Sequence, residues 1–173
     1  MDTPVDYLSH EAVAPERVAD LLTLCFGPAR QKRTASLLRE GAPRIERASF
    51  VALDGEELVG SVECWELEWQ HPLGSRKIAL LGPLVSHPGR RGERIGMRLM
   101  DLALAELDAL HLPVVLIGDE PYYGRWGFSA QHTGEWGLPG PVDRHRLLLR
   151  AKAGHRLRGP AVLAAPAASS AAA

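Results

Sequence analysis

The spacing of apolar residues predicts a helical opening, a hairpin-rich middle and a strand, helix and strand in succession. Val5–His10 is short and mixed, as an edge strand is. Ala14-Pro15-Glu16 opens a helix with proline in the first turn; Leu21, Leu22, Leu24, Cys25 and Phe26 supply its apolar side before Gly27-Pro28 stops it. Arg30–Arg39 reads as a second short, basic helix closed by Gly41 and Pro43. Ser49–Leu53, a turn at Asp54-Gly55 and Leu58–Trp65 then predict an antiparallel hairpin. Lys77–Val85 predicts a further strand with a bulge at Gly82-Pro83, a pair that cannot sit in a regular central ladder. Gly92–Leu110 is the plainest helix. Ile95, Leu99, Leu102 and Leu110, with Met100, Leu104 and Leu107, form its apolar face, and Arg94, Arg98, Asp101 and Asp108 form a polar stripe. After Pro113, Val114–Ile117 has the unbroken apolar run of a strand covered on both faces, so Lys77–Val85 and Val114–Ile117 should be the parallel pair of a βαβ crossover. Phe128–Gln131 and Arg146–Arg150 predict two last short strands. The fold class is α/β (α+β), a mixed, largely antiparallel sheet with one parallel pair, flanked by helices.

Composition adds boundaries. Gly159–Ala173 contains eight alanines and two prolines with no amphipathic period. A single domain over 3–152 with a disordered tail over 153–173 is the simplest partition. Twenty Lys and Arg against twenty-one Asp and Glu leave a net charge of −1, without the basic excess that nucleic-acid binding uses. The N-terminal stretch carries acids and no apolar run, and no stretch is long and apolar enough for a membrane span, so a soluble, cytoplasmic protein is expected. Cys25 and Cys64 lack C-x-x-C spacing and are expected to be reduced and buried; His145 has no second histidine at ligand spacing, and no metal is expected.

Candidate chemistry starts at His87-Pro88-Gly89-Arg90-Arg91-Gly92-Glu93-Arg94-Ile95-Gly96, where a strand gives way to the long helix. Free helix amides, four arginines (90, 91, 94 and 98) and two glycines suit a phosphate or pyrophosphate there; a solvated helix start is the alternative. Neither a Walker A lysine nor a G-x-G-x-x-G is present, so ATP and NAD folds are unsupported. Arg91-Gly92-Glu93-Arg94-Ile95-Gly96 fits Q/R-x-x-G-x-G/A, and Tyr122-Tyr123-Gly124-Arg125-Trp126-Gly127-Phe128 fits aromatic-Tyr-x-x-x-Gly-Phe, in matching order. On these two segments the chain resembles the GNAT superfamily of acyl-CoA-dependent N-acetyltransferases, and Leu80–Val85 and Gly118–Arg125 are similar to its YhbS-like subgroup.

The resemblance implies splayed fourth and fifth strands and direct acetyl transfer from acetyl-CoA to an amine in a ternary complex. It implies that Arg90, Arg91, Gly92, Glu93, Arg94, Ile95 and Gly96 surround the pyrophosphate, that backbone groups of Leu84 and Val85 meet the pantetheine arm, and that Tyr123 is the general acid. A tyrosine with a pKa near 10 stays protonated at neutral pH and can serve a departing thiolate. Arg94 replaces the motif's first glycine; in helical geometry it either adds a phosphate contact or crowds the cofactor.

Glu63 and Asp119 are candidate bases, with Glu120 beside Asp119. Glu63 alternatively faces solvent, and Asp119 alternatively caps the short helix bearing Tyr123. Trp65, Trp69 and His71 with Glu63, Glu66 and Glu68 either wall an acceptor cleft for a cationic amine or form a polar sheet face. The expected acceptor is a small-molecule amine or a protein amino group, without nucleic acid or membrane; GNAT proteins often dimerise, and nothing in the sequence fixes the oligomeric state. A non-catalytic acyl-CoA-binding or partner-binding module is the alternative function.

Overall fold

The computed structural model describes residues 4–152 and 154–167. Among the described residues, eight strands form one sheet: β1 (Asp6–Ser9), β2 (Phe50–Asp54), β3 (Glu57–His71), β4 (Gly74–Ser86), β5 (Val114–Ile117), β6 (Trp136–Gly137), β7 (Leu147–Arg150) and β8 (Ala161–Ala164). The helices are α1 (Pro15–Phe26), α2 (Thr34–Arg39), α3 (Ile95–Ala109) and α4 (Glu120–Tyr123). Hydrogen bonding follows β1-β2-β3-β4-β5-β7, with β8 on β3 and β6 on β8. The chain forms two compact units, the first holding the N-terminal stretch to Lys32, Arg44–Cys64 and Leu81–His111, and the second Arg33–Pro43, Trp65–Leu80 and the chain from Leu112 onward.

In the first unit, β1 pairs antiparallel with β2, and β2 with β3 through a register shift at Ala52/Leu53. Val18, Leu21 and Leu22 of α1 pack with Val51, Leu58 and Val85, while Leu24, expected on the apolar side, is 60% exposed. Ile95, Leu99, Met100, Ala103, Leu104 and Leu107 are the buried face of α3; Leu102 and Leu110 lie outside it. A close approach explains Gly60: a Cβ there would lie 2.7 Å from Ile95 Cγ2 and 3.0 Å from Leu99 Cδ1, so only glycine lets β3 meet α3. Cys64 is buried, but Cys25 is half-exposed, with Sγ 3.6 Å from the Ser86 carbonyl oxygen.

In the second unit, β4 and β5 pair in parallel at Ala79↔Val114 and Leu80↔Val115, as the βαβ reading requires, and β5 pairs antiparallel with β7 along its whole length. Gly82, two residues beyond that register and in the first unit's share of β4, has φ +135° at the anticipated irregularity. Trp65, Leu67 and Trp69 alternate from β3 into a core with Trp136, Leu147, Leu149 and Leu163. The tryptophans are thus core residues, with Trp69 3% exposed, stacked on His71 and edge-on to Trp136.

Four expectations need correction. Arg30–Arg39 is a 3-10 turn, Pro28–Lys32, followed by α2. β3 runs six residues past Trp65 because Leu67 and Trp69 continue its inward alternation. Phe128–Gln131 contributes one bridge, Ser129↔Leu149, rather than a strand. The expected disordered tail contains β8, whose Leu163 is 1% exposed and registers with Trp69; an alternation of only two inward residues, Ala161 and Leu163, escaped a compositional reading. Residue 3, residue 153 and residues 168–173 of those expectations lie outside the described residues. A second parallel pairing, Trp136↔Ala161 and Gly137↔Val162, lies apart from the βαβ segment. No helix among the described residues is long and apolar enough to cross a membrane.

Candidate active site

Each unit carries one motif segment. In the first, β4 ends at Ser86, His87 Nδ1 accepts the Gly89 N–H at 3.0 Å, and a 3-10 turn over Pro88–Arg90 leads to Gly92 at φ +89°. Arg94 then adopts φ +59°, ψ +24° immediately before α3. This corrects the expectation of right-handed helical geometry from Gly92: the helix begins at Ile95. The left-handed region costs a non-glycine residue about 1–2 kcal/mol and costs glycine nothing. The turn therefore keeps glycine geometry with arginine in the glycine's place. The side chain of Arg94 does not cap α3, the amides of Ile95 and Gly96 have no intrahelical acceptor, and a Cβ at Gly92 or Gly96 would meet nothing within 4 Å. Open space over uncapped amides fits an anion.

The four arginines differ. Arg90 donates from Nε to Glu93 Oε1 (2.7 Å) and from Nη1 to Asp54 Oδ2 (2.8 Å), which binds the turn to β2. Those hydrogen bonds push the Arg90 guanidinium higher still and hold the Glu93 carboxyl below its ordinary range. Arg98 lies 6.0 Å from the Tyr7 ring centroid. Arg91 and Arg94 are exposed beside the open amides. Val85 is buried in the unit's core and Leu84 is half-buried.

Glu63 neither faces solvent nor stands alone. It is buried, with Oε1 3.0 Å from His10 Nε2 and 3.5 Å from Arg44 Nη1, and Arg44 donates onward to Glu46 at 2.7 Å. The His10 contact has ion-pair distance without hydrogen-bond alignment. Sequence reasoning missed His10 and Arg44, which lie 53 and 19 positions before Glu63 with no motif to join them.

In the second unit, the Gly118 N–H donates to the Arg146 carbonyl (2.9 Å) as β5 ends, and the Asp119 carbonyl accepts the amides of Tyr122 (3.1 Å) and Tyr123 (3.0 Å). The Asp119 carboxylate makes no cap; Oδ1 accepts from Arg146 Nε at 3.1 Å. The Tyr123 ring packs edge-on against Tyr122 and Phe128, centroids 4.9 and 6.2 Å away, and tilted against Trp126 at 6.1 Å. Gly118 is what admits it: a Cβ there would lie 2.4 Å from Tyr123 Cε2. Burial, then the neighbouring Tyr122 and Asp119, push the Tyr123 hydroxyl up to about 12 against a smaller lowering by Arg146. It is a donor at neutral pH.

Residues 11–130 match the acetyltransferase (GNAT) domain family. The chain belongs to the GNAT acetyltransferases. Among proteins with curated descriptions, none matches it in sequence. Its fold is shared with GNAT proteins of known structure. YhbS from Escherichia coli in complex with CoA is 20% identical at TM-score 0.72, covering 94% of this chain and 89% of that one. A GNAT family acetyltransferase from Brucella melitensis in complex with acetyl-CoA is 19% identical at TM-score 0.61, covering 95% and 97%. An acyl-CoA N-acyltransferase from Pseudomonas aeruginosa is 22% identical at TM-score 0.56, covering 86% and 100%.

Proposed function

We propose that this GNAT domain moves an acetyl group from acetyl-CoA directly to an amine. The observation that carries the reading is the turn Arg91–Gly96, whose left-handed backbone at Gly92 and Arg94 leads into an uncapped helix start suited to a pyrophosphate. The CoA and acetyl-CoA complexes of the two GNAT relatives support the same cofactor here. Bound acetyl-CoA supplies the activated thioester. The amides of Ile95 and Gly96, with Arg91, Gly92 and Arg94, hold its pyrophosphate, while Arg90 and Glu93 brace the turn. Backbone groups of Leu84 and Val85 bind the pantetheine arm.

Tyr123 acts on the leaving group. With its hydroxyl pushed up to about 12 and a thiol near 8.5, complete transfer from Tyr123 to the thiolate runs uphill, so its role is a hydrogen bond to sulfur as negative charge builds there. Asp119, paired with Arg146 but exposed at the head of the Tyr123 helix, is the better candidate to draw the amine's proton through water, because Glu63 is buried away from water between His10 and Arg44.

Thermal unfolding with saturating acetyl-CoA tests the cofactor, with ATP and NAD as controls. A ligand at a hundred times its Kd adds about 2.7 kcal/mol, raising the midpoint by roughly 5–10 °C. Tyr123→Phe should keep that shift and lower turnover about 100-fold. Absence of any shift at millimolar acetyl-CoA would end the acetyltransferase reading, and full turnover by Tyr123→Phe would remove that residue from it.

A further inference from the structure

The segment that bears Tyr123 is tied to one later position in the chain. Where β5 ends and β7 begins, Ile117 registers with Leu147, and the Gly118 N–H then donates to the Arg146 carbonyl at 2.9 Å. Arg146 is thereby fixed opposite Gly118, the glycine that admits the Tyr123 ring. Its own amide donates to the Asp143 carbonyl at 2.9 Å, closing the 3-10 turn Arg144–Arg146, and the Asp143 carboxylate caps that turn by accepting the His145 N–H, also at 2.9 Å. Backbone bonds on both sides hold Arg146 in place before its side chain makes any contact.

That side chain reaches Asp119, Nε to Oδ1 at 3.1 Å, and Asp119 is the residue whose carbonyl accepts the amides of Tyr122 (3.1 Å) and Tyr123 (3.0 Å). Arg125 and Arg150 also anchor this segment, by bonds to the Tyr122 and Trp126 carbonyls at 3.0 and 2.9 Å. Arg146 differs in bonding a carboxylate. Its one bond to Oδ1 leaves Oδ2 to water, the Asp119 side chain being 73% exposed. Burial, Tyr122 and Asp119 raise the Tyr123 hydroxyl, and Arg146 is the neighbour that lowers it. One cation therefore acts on both groups that the transfer uses.

We propose that Arg146 is a positioning residue for the transfer, holding the Asp119 carboxylate with one oxygen bound and one free at the head of the helix that carries Tyr123. The role rests on the acetyltransferase reading. As the amine nitrogen bonds to the acetyl carbon and the C–S bond breaks, the amine's proton passes through water to Asp119 Oδ2. The sulfur keeps the electron pair and accepts the Tyr123 hydrogen bond. Without Arg146 the carboxylate turns freely and Tyr123 is a weaker donor, so the loss falls on the chemical step and spares the hold on acetyl-CoA at the Arg91–Gly96 turn.

The test follows free-thiol release from acetyl-CoA by the full chain, with ethylamine as acceptor and with water alone, beside the acetyl-CoA melting shift. Arg146→Ala should lower kcat about fivefold, the scale of an exposed ion pair, and leave KM for acetyl-CoA and the melting shift unchanged. Arg146→Lys should recover most of the loss, because a single bond to Oδ1 needs a cation and not the guanidinium fork. If Arg146→Ala does not fold, Arg146→Gln takes its place. In Asp119→Asn, which has lost the carboxylate, Arg146→Ala should cost less than about a further twofold. Unchanged kcat, a lysine variant as slow as the alanine one, losses that multiply in full in the Asp119→Asn background, or a melting shift lost together with kcat would each overturn the proposal and leave the transferase. Absence of the shift or of thiol release from the parent chain would instead remove the transferase reading, and this role with it.

Discussion

The two units hold their functional segments by different means. In the first, charged side chains stitch remote stretches together: His10, Arg44 and Glu46 around Glu63, Arg47 to Glu106, and Arg90 to Asp54 and Glu93. In the second, rings do most of that work, with Tyr122, Tyr123, Trp126 and Phe128 at one place and Trp69, His71 and Trp136 at another. Backbone geometry shaped by charge tolerates a change of residue, as Arg94 in a glycine's conformation shows. Ring packing at 2.4 Å from a missing Cβ does not.

The largest effect should come from Glu63→Ala, which takes the carboxylate from the buried His10 and from a half-buried Arg44 that keeps Glu46, and should cost about 3 kcal/mol in denaturant unfolding. Little loss would mean that water enters and the charge network is incidental. Gly118→Ala tests the other unit: the added methyl must displace the Tyr123 ring, at a cost of about 1–3 kcal/mol and a loss of turnover matching that of Tyr123→Phe. Retained turnover would show that ring position is not what the segment controls. Arg94→Gly should stabilise by about 1 kcal/mol through release of backbone strain, whereas Arg94→Ala should gain nothing, because alanine keeps the left-handed penalty. If both variants weaken acetyl-CoA equally, the side chain is a phosphate contact; if neither does, it is not.

The smallest effect is one of pH. Free tyrosine titrates near 10 and Tyr123 is pushed up to about 12, so the unfolded chain loses its proton first. Stability from the protonated hydroxyl is whole below about pH 10 and is lost as pH rises toward 12. Over that window the parent's midpoint should fall more steeply than that of Tyr123→Phe; parallel curves would mean that burial of the hydroxyl is overstated.

Much of this was legible in the sequence. The antiparallel hairpin and the βαβ crossover follow from local period, and the two motif segments lie in the order that the fold realises. What escaped depends on distance along the chain. Asp54 claims Arg90 from 36 residues away, and Arg44 and His10 reach Glu63 across turns whose geometry no spacing encodes. Asp119 was a cap by position, but Arg146, 27 residues later, takes its carboxylate. The left-handed Arg94 was hidden for the opposite reason: the motif calls for glycine, and the residue present argues against the backbone it adopts.

The strand β8 bears on how the protein can be shortened. Glu68, Trp69 and Gln70 pair with it, and Leu163 and Ala161 fill the core beneath. A chain ended at residue 152, tidy by composition, would leave the outer run of β3 as a bare edge beside an unfilled cavity. Such edges recruit other strands, and the shortened protein should precipitate on expression while the full chain stays dispersed.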